Sequence, residues 1–204
     1  MADAHQPIFR TIREQVAHRL RNDILGQVYA PGENLREHAL SKAYAVSRSP
    51  IRDALLQLAQ EGLLVATPNC GVRVAHRLDE QLQPLVVDVR RRIEGFAVKK
   101  TIEHFDDTAK ELIQKRLDNH RKSCEAKDLP SIVRSDMEFH QAIIELSGVP
   151  ELLSLWQPII ASMMLHYERH RDWMESYREH EVVAEAIFKG DVKAATKALN
   201  ANIK

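Results

Sequence analysis

Between Asp79 and the C-terminal Lys204 no run of residues alternates apolar and polar side chains in the way a half-buried strand requires. Apolar residues recur there at three- and four-residue spacing, over about 79–104, 108–127, 131–147, 150–171, 174–189 and 191–203. Breakers separate these segments: Asp106-Asp107, Leu129-Pro130, Gly148-Val149-Pro150 and Gly190-Asp191. The pattern predicts a body of six helices. Only 7 glycines and 5% aromatic residues agree with it, because a sheet sandwich needs turn glycines and strand aromatics.

The preceding residues have a different character. Ile12, Val16, Leu20 and Ile24 lie four apart and form one apolar helical stripe that Gly26 can stop. After the Pro31-Gly32 turn, a short helix is expected around Arg36–Ala43 and a longer one from Ser47 to Gln60. Ser47 suits the N-cap and Pro50 the first turn. Leu63-Leu64-Val65 and Val72-Arg73-Val74 are β-prone runs joined by a Pro68-Asn69-Cys70-Gly71 turn. Three helices followed by a hairpin is the plan of a winged helix-turn-helix. The expected fold is therefore mainly α, with a winged helix-turn-helix over residues 1–77 and an all-helical bundle over residues 78–204.

Charge and cysteines narrow the function. Residues 1–77 hold 10 Lys and Arg against 7 Asp and Glu, and the rest holds 19 against 22, so the basic excess sits on the head. Cys70 and Cys124 make neither a disulfide framework nor a zinc ribbon, which fits a reducing compartment. Met1–Arg10 has no signal-peptide core, and the apolar stretch Leu152–Leu165 is too interrupted to span a bilayer. A cytoplasmic protein with no membrane partner is the expectation. In Leu152, Leu155, Ile159 and Met163 the spacing predicts a core stripe.

The Ser47–Gln60 helix presents Ser47, Arg48, Ser49 and Arg52 in its first turn. Arg48 and Arg52 share one face and can read guanine or clamp phosphate, and the two hydroxyls suit phosphate beside them. Gly71 lets the hairpin tip approach DNA closely, and Arg73 can anchor the wing. From Ala30 to Gly71 the chain resembles the signature of the GntR superfamily of bacterial regulators. The likeness runs through Pro31-Gly32, Glu37, Leu40, Val46-Ser47-Arg48-Ser49-Pro50-Ile51-Arg52, Leu58 and Glu61-Gly62-Leu63. Ala45 departs from the usual Gly, Ser41 from Ala, and His38 from a frequent Arg. The resemblance adds Arg36 and His38 to the DNA-contacting residues and implies a homodimer on a palindromic operator.

The helical body resembles the FadR-like branch, whose ligand-binding domain is of the FCD type. Arg90 to Glu94, Asp136-Met137-Glu138-Phe139-His140, and Glu179-His180 with Ala186-Ile187 and Gly190-Asp191 carry that likeness. Asp136 and His140, four apart on one helix face, can chelate a divalent cation. The resemblance adds His180 and a fourth position where this chain has Asn202 instead of His. It implies a divalent metal, zinc first, with nickel or manganese as alternatives. An amide oxygen is a poorer ligand than imidazole for zinc. It also implies a small carboxylate effector held by Arg90, with Glu94 and His166 lining the pocket; Arg90 could equally pair with Glu94 or Asp88. The expected function is an operator-binding regulator, a repressor by family precedent, that is not an enzyme. A metal-dependent hydrolase using Asp136, His140 and His180 is the alternative, yet the chain shows no nucleophile motif or Gly-rich phosphate loop. A ligand-free architectural DNA-binding protein is a third reading.

Overall fold

The computed structural model describes residues 11–67, 71–76, 79–165 and 172–204. Cys70, His166 and His170 lie outside them. The chain divides into two compact units, Met1–Ala75 and His76–Lys204.

In the first unit, α1 (Ile12–Leu25) begins at a capping box. Thr11 Oγ1 accepts from the Glu14 amide at 3.2 Å and Glu14 accepts from the Thr11 amide at 2.8 Å. Val16, Leu20 and Ile24 are buried, whereas Ile12 is 60% exposed, so the apolar stripe starts one turn later than its spacing predicts. Helix α1 packs on α3. Helix α2 (Glu37–Tyr44) ends where Ala45 takes a left-handed conformation at φ 54°. Helix α3 (Arg48–Gln60) follows Ser47, which stands at the N-cap position but makes no capping hydrogen bond with its side chain. Ile51, Ala54, Leu55 and Leu58 of α3 are buried.

The wing is a three-stranded antiparallel sheet and not a simple hairpin. Its strands are β1 (Asn34–Leu35), β2 (Leu64–Thr67) and β3 (Gly71–Val74), in the order β1-β3-β2. Pairing sets Leu35 against Val72 and Ala66 against Val72 from the other side. A two-residue strand has no alternation for sequence reading to detect. Gly71 opens β3 at φ +84°, a conformation that disfavours any side chain.

The second unit contains α4 (Gln83–Glu103), α5 (Asp107–Ala126), α6 (Leu129–Leu146), α7 (Glu151–Met164), α8 (Trp173–Phe188) and α9 (Val192–Asn202). Helix α6 is its core: Ile132, Val133, Met137, Phe139, Ala142, Ile143 and Ile144 are all buried. Around it, α5 packs on α6 and α8, α9 packs on α8 and α4, and α4 and α7 contact each other and α6. Arg91 on α4 fastens the end of α9 by donating to the Ile203 carbonyl at 2.7 and 3.2 Å. On α7 the buried side chains are Trp156, Ile160 and Ala161, whereas Leu155 is 59% exposed and Leu152, Ile159 and Met163 are half-buried. The expected core stripe is thus displaced by about one residue. Leucines surround this helix on several faces, so spacing alone does not single out the packed one. Among the described residues, no helix is long and apolar enough to cross a membrane.

Candidate functional site

Arg36, His38, Ser47, Arg48, Ser49, Arg52, Gly71 and Arg73 are all solvent-exposed. Helices α2 and α3 place their first turns side by side. Arg52 grips Glu37 through two hydrogen bonds, Nε to Oε1 at 3.0 Å and Nη2 to Oε2 at 3.1 Å. The hydrogen bond from Arg52 holds the Glu37 carboxyl below the ordinary carboxylate range. Arg48 Nη2 lies 3.2 Å from His38 Nδ1, which engages one of the five guanidinium donors. Arg73 sits in the centre strand, paired with Val65 and Asn34. His38, Arg48 and Arg52 make an exposed, cation-rich face around the N-terminus of α3, where helix backbone and charge both favour phosphate.

In the second unit the polar residues singled out by sequence are buried. Arg90, Asp136, His140 and His180 have no exposed surface, and Glu94 and Asn202 keep about 1%. They come from four helices: Arg90 and Glu94 from α4, Asp136 and His140 from α6, His180 from α8 and Asn202 from α9. Glu94 organises one side of the cluster. Its Oε1 accepts from Arg90 Nε at 2.6 Å and from Trp156 Nε1 at 2.6 Å, and its Oε2 accepts from His140 Nδ1 at 2.7 Å. Burial alone would raise this carboxyl, but the Arg90 guanidinium and then His140 outweigh it and bring it down to about 2. Burial is the main cause that lowers His140, and its Nδ1 carries the proton that Glu94 Oε2 accepts. Asp88 pairs with Arg91 at 3.7 Å and not with Arg90.

His180 donates from Nδ1 to the Ser176 carbonyl at 2.7 Å. The remaining ring nitrogens, His140 Nε2 and His180 Nε2, are buried and make no hydrogen bond. They face the Asp136 carboxylate, at 3.5 Å to Oδ1 and 3.6 Å to Oδ2 respectively. Those separations exceed a hydrogen bond. They match the roughly 3.4 Å between two donors that each lie about 2.05 Å from one tetrahedral ion. Lone pairs converging across such gaps fit a bound divalent cation. A buried acceptor left without a partner otherwise costs about 1–3 kcal/mol.

Sequence reasoning overlooked several members of the cluster. His120 on α5 forms a potential ligand group with Asp136 and His180, one donor atom of each lying within 4.8 Å of the others. Ser135 and Ser176 flank His120, Trp156 reaches Glu94, and Met163 Sδ lies 3.8 Å from Arg90 Nη1. An isolated His on an amphipathic helix carries no spacing signal. Only the packing of α5 against α6 and α8 reveals it.

A winged helix-turn-helix unit followed by an all-helical unit built around a buried polar cluster defines a DNA-binding transcriptional regulator. Residues 12–74 match the bacterial regulatory proteins of the gntR family and residues 85–204 match the FCD domain, so the chain belongs to the GntR family with an FCD domain. It is 26% identical over 188 residues to an uncharacterized HTH-type transcriptional regulator, YdhC, of Bacillus subtilis, covering 89% of this chain and 83% of that protein. It is 25% identical over 197 residues to the gluconate operon transcriptional repressor of Bacillus subtilis, covering 92% and 80%. The fold is shared with Escherichia coli McbR/YncC, at a TM-score of 0.73 and 19% identity over 96% of this chain and 94% of that one.

Proposed function

We propose that the protein is an operator-binding repressor whose DNA affinity is set by a small carboxylate bound in the metal-containing FCD unit. The observation that carries this reading is the convergence of the bare nitrogens of His140 and His180 on Asp136, beside a buried arginine. Arg90 Nη2 is buried without a hydrogen-bond partner, while Nε is taken by Glu94. An unsatisfied, buried guanidinium donor suits a carboxylate oxygen. Asp136, His140 and His180 would hold the ion, which when bound supplies open coordination positions for the same carboxylate. Glu94 fixes the His140 ring and the Arg90 guanidinium at once, so ligand and metal positions are coupled through one side chain.

The DNA half of the proposal places α3 in the major groove, with Arg48 and Arg52 reading bases or phosphates and Arg36, His38, Ser47 and Ser49 at the backbone. Gly71 and Arg73 belong to the wing contact. A homodimer on a palindromic site fits Leu85, Val89 and Phe96, which lie on one side of α4 and are exposed by 60%, 36% and 46% in the single chain. Repression is the reading supported by relatives named as repressors. An effector changes operator affinity only through its different affinities for the DNA-competent and incompetent arrangements. The cytoplasm is where such a regulator meets its DNA. The hydrolase alternative draws no support from the family, whose named members are regulators.

Thermal unfolding of metal-stripped protein tests the sensing half. Zinc raises the transition of the wild type, and a panel of small carboxylates raises it further. Arg90→Met keeps the zinc response and loses the carboxylate response. A carboxylate response that survives Arg90→Met removes Arg90 from the site.

A further inference from the structure

We infer that His120 is a metal ligand in this chain, and that Asn202 holds His180 in place without touching the ion. The inference rests on the metal reading above and assigns the ligands within it.

The hydrogen bonds around His120 fix its protonation. Ser135 Oγ has one proton, which it donates to the Ile132 carbonyl at 3.1 Å. It must therefore accept at its other contact, 2.9 Å from His120 Nδ1, which places the imidazole proton on Nδ1. His120 Nε2 is then a lone pair, and what lies against it is the Ser176 hydroxyl at 3.0 Å and Cys124 Sγ at 3.6 Å. This nitrogen is in the form a cation needs, on a ring with no exposed surface whose centroid is 4.5 Å from that of His180. The Ser176 hydroxyl is a single rotatable group, so exchanging it for an ion requires no backbone movement. The donor atoms of His120, Asp136 and His180 already lie within 4.8 Å of one another. Tetrahedral coordination brings such atoms to about 3.4 Å, a closure of up to about 1.4 Å that side-chain rotation supplies.

Asn202 meets His180 on the opposite edge of its ring. Its amide nitrogen lies 3.4 Å from His180 Nδ1, the nitrogen whose proton goes to the Ser176 carbonyl. Two donors face each other in that orientation. Turning the amide over places Oδ1 there to share the Nδ1–H, which also satisfies an oxygen otherwise buried without a partner. In either orientation the amide addresses Nδ1 and leaves Nε2 to the ion. The resulting donor set is one carboxylate and three imidazoles, from Asp136, His120, His140 and His180, a combination suited to zinc and its neighbours among the transition metals.

Anomalous diffraction at the zinc edge on crystals of the full chain, grown with zinc alone, tests the assignment directly. His120 Nε2 is expected about 2.0–2.1 Å from the zinc peak. A peak with Asn202 Oδ1 in its coordination sphere and His120 still bonded to Ser176 overturns it. In solution, zinc titrations of stripped protein against a chromophoric chelator are expected to show His120→Gln weakened about 100-fold or more and Asn202→Ala by less than about 10-fold, the lower end of losses when a group that only orients a ligand is removed. Circular dichroism confirms that both variants are folded. The reverse order of losses, or wild-type affinity in His120→Gln, overturns the assignment alone. A wild type that takes up no zinc overturns the metal reading itself and this assignment with it.

Discussion

Glu94 binds an arginine of its own helix, a tryptophan of α7 and a histidine of α6, all within hydrogen-bond distance and all out of water. Removing its charge leaves Arg90 buried without a counter-ion, a change that costs about 3–5 kcal/mol in comparable buried pairs. Glu94→Gln, nearly the same size, is therefore expected to lower the unfolding transition of the metal-free protein sharply. It is also expected to weaken zinc about 10–100-fold, because His140 loses the carboxylate that orients it. Unfolding scans with and without zinc check both effects; an unchanged transition would show that Arg90 is satisfied in some other way. At this scale the sequence was informative where chemistry coincided with helical spacing. Asp136 and His140 are four apart, so any helix places them on one face, and Arg90 and Glu94 repeat that relation. His120, Ser135, Ser176 and Trp156 were illegible, because contacts between helices bring them in.

At the scale of elements, the turn between α2 and α3 holds Ala45 at φ 54°. A left-handed conformation costs an L-residue about 1–2 kcal/mol, while glycine adopts it freely but loses about 0.5–1 kcal/mol of chain entropy. Ala45→Gly is expected to stabilise the first unit by roughly 0.5–1 kcal/mol, read as slower hydrogen exchange of the α3 amides. Exchange that speeds up would mean the alanine methyl contributes packing that outweighs the strain. Helix positions were legible because long stretches of consistent periodicity, ended by Gly, Pro or paired aspartates, leave few alternatives. Strand β1 was not, since two residues carry no period. The buried face of α7 was misassigned because Leu152, Leu153 and Leu155 offer several apolar stripes, and only packing around Trp156 chooses between them. Pro158 inside the same helix removes one backbone donor and loosens the periodic signal further.

For the whole molecule, a GntR unit and an FCD unit stand in one chain, and the proposed regulation depends on coupling between them. If two chains associate through α4, then replacing Val89 and Phe96 together with glutamate is expected to give monomers in sedimentation and to weaken binding to a palindromic duplex at least about 10-fold. Dimers with unaltered affinity would move the interface elsewhere. The central claim is that a carboxylate bound at Arg90 and the metal cluster sets operator affinity. It is tested most directly by measuring the affinity of the zinc-loaded full chain for a duplex selected from a random pool, with and without a carboxylate that stabilises the protein. The account predicts a shift of about 5–150-fold, the usual range of allosteric coupling. It also predicts that Arg90→Met binds the duplex normally but shows no shift. Equal affinity with and without every stabilising carboxylate would contradict it.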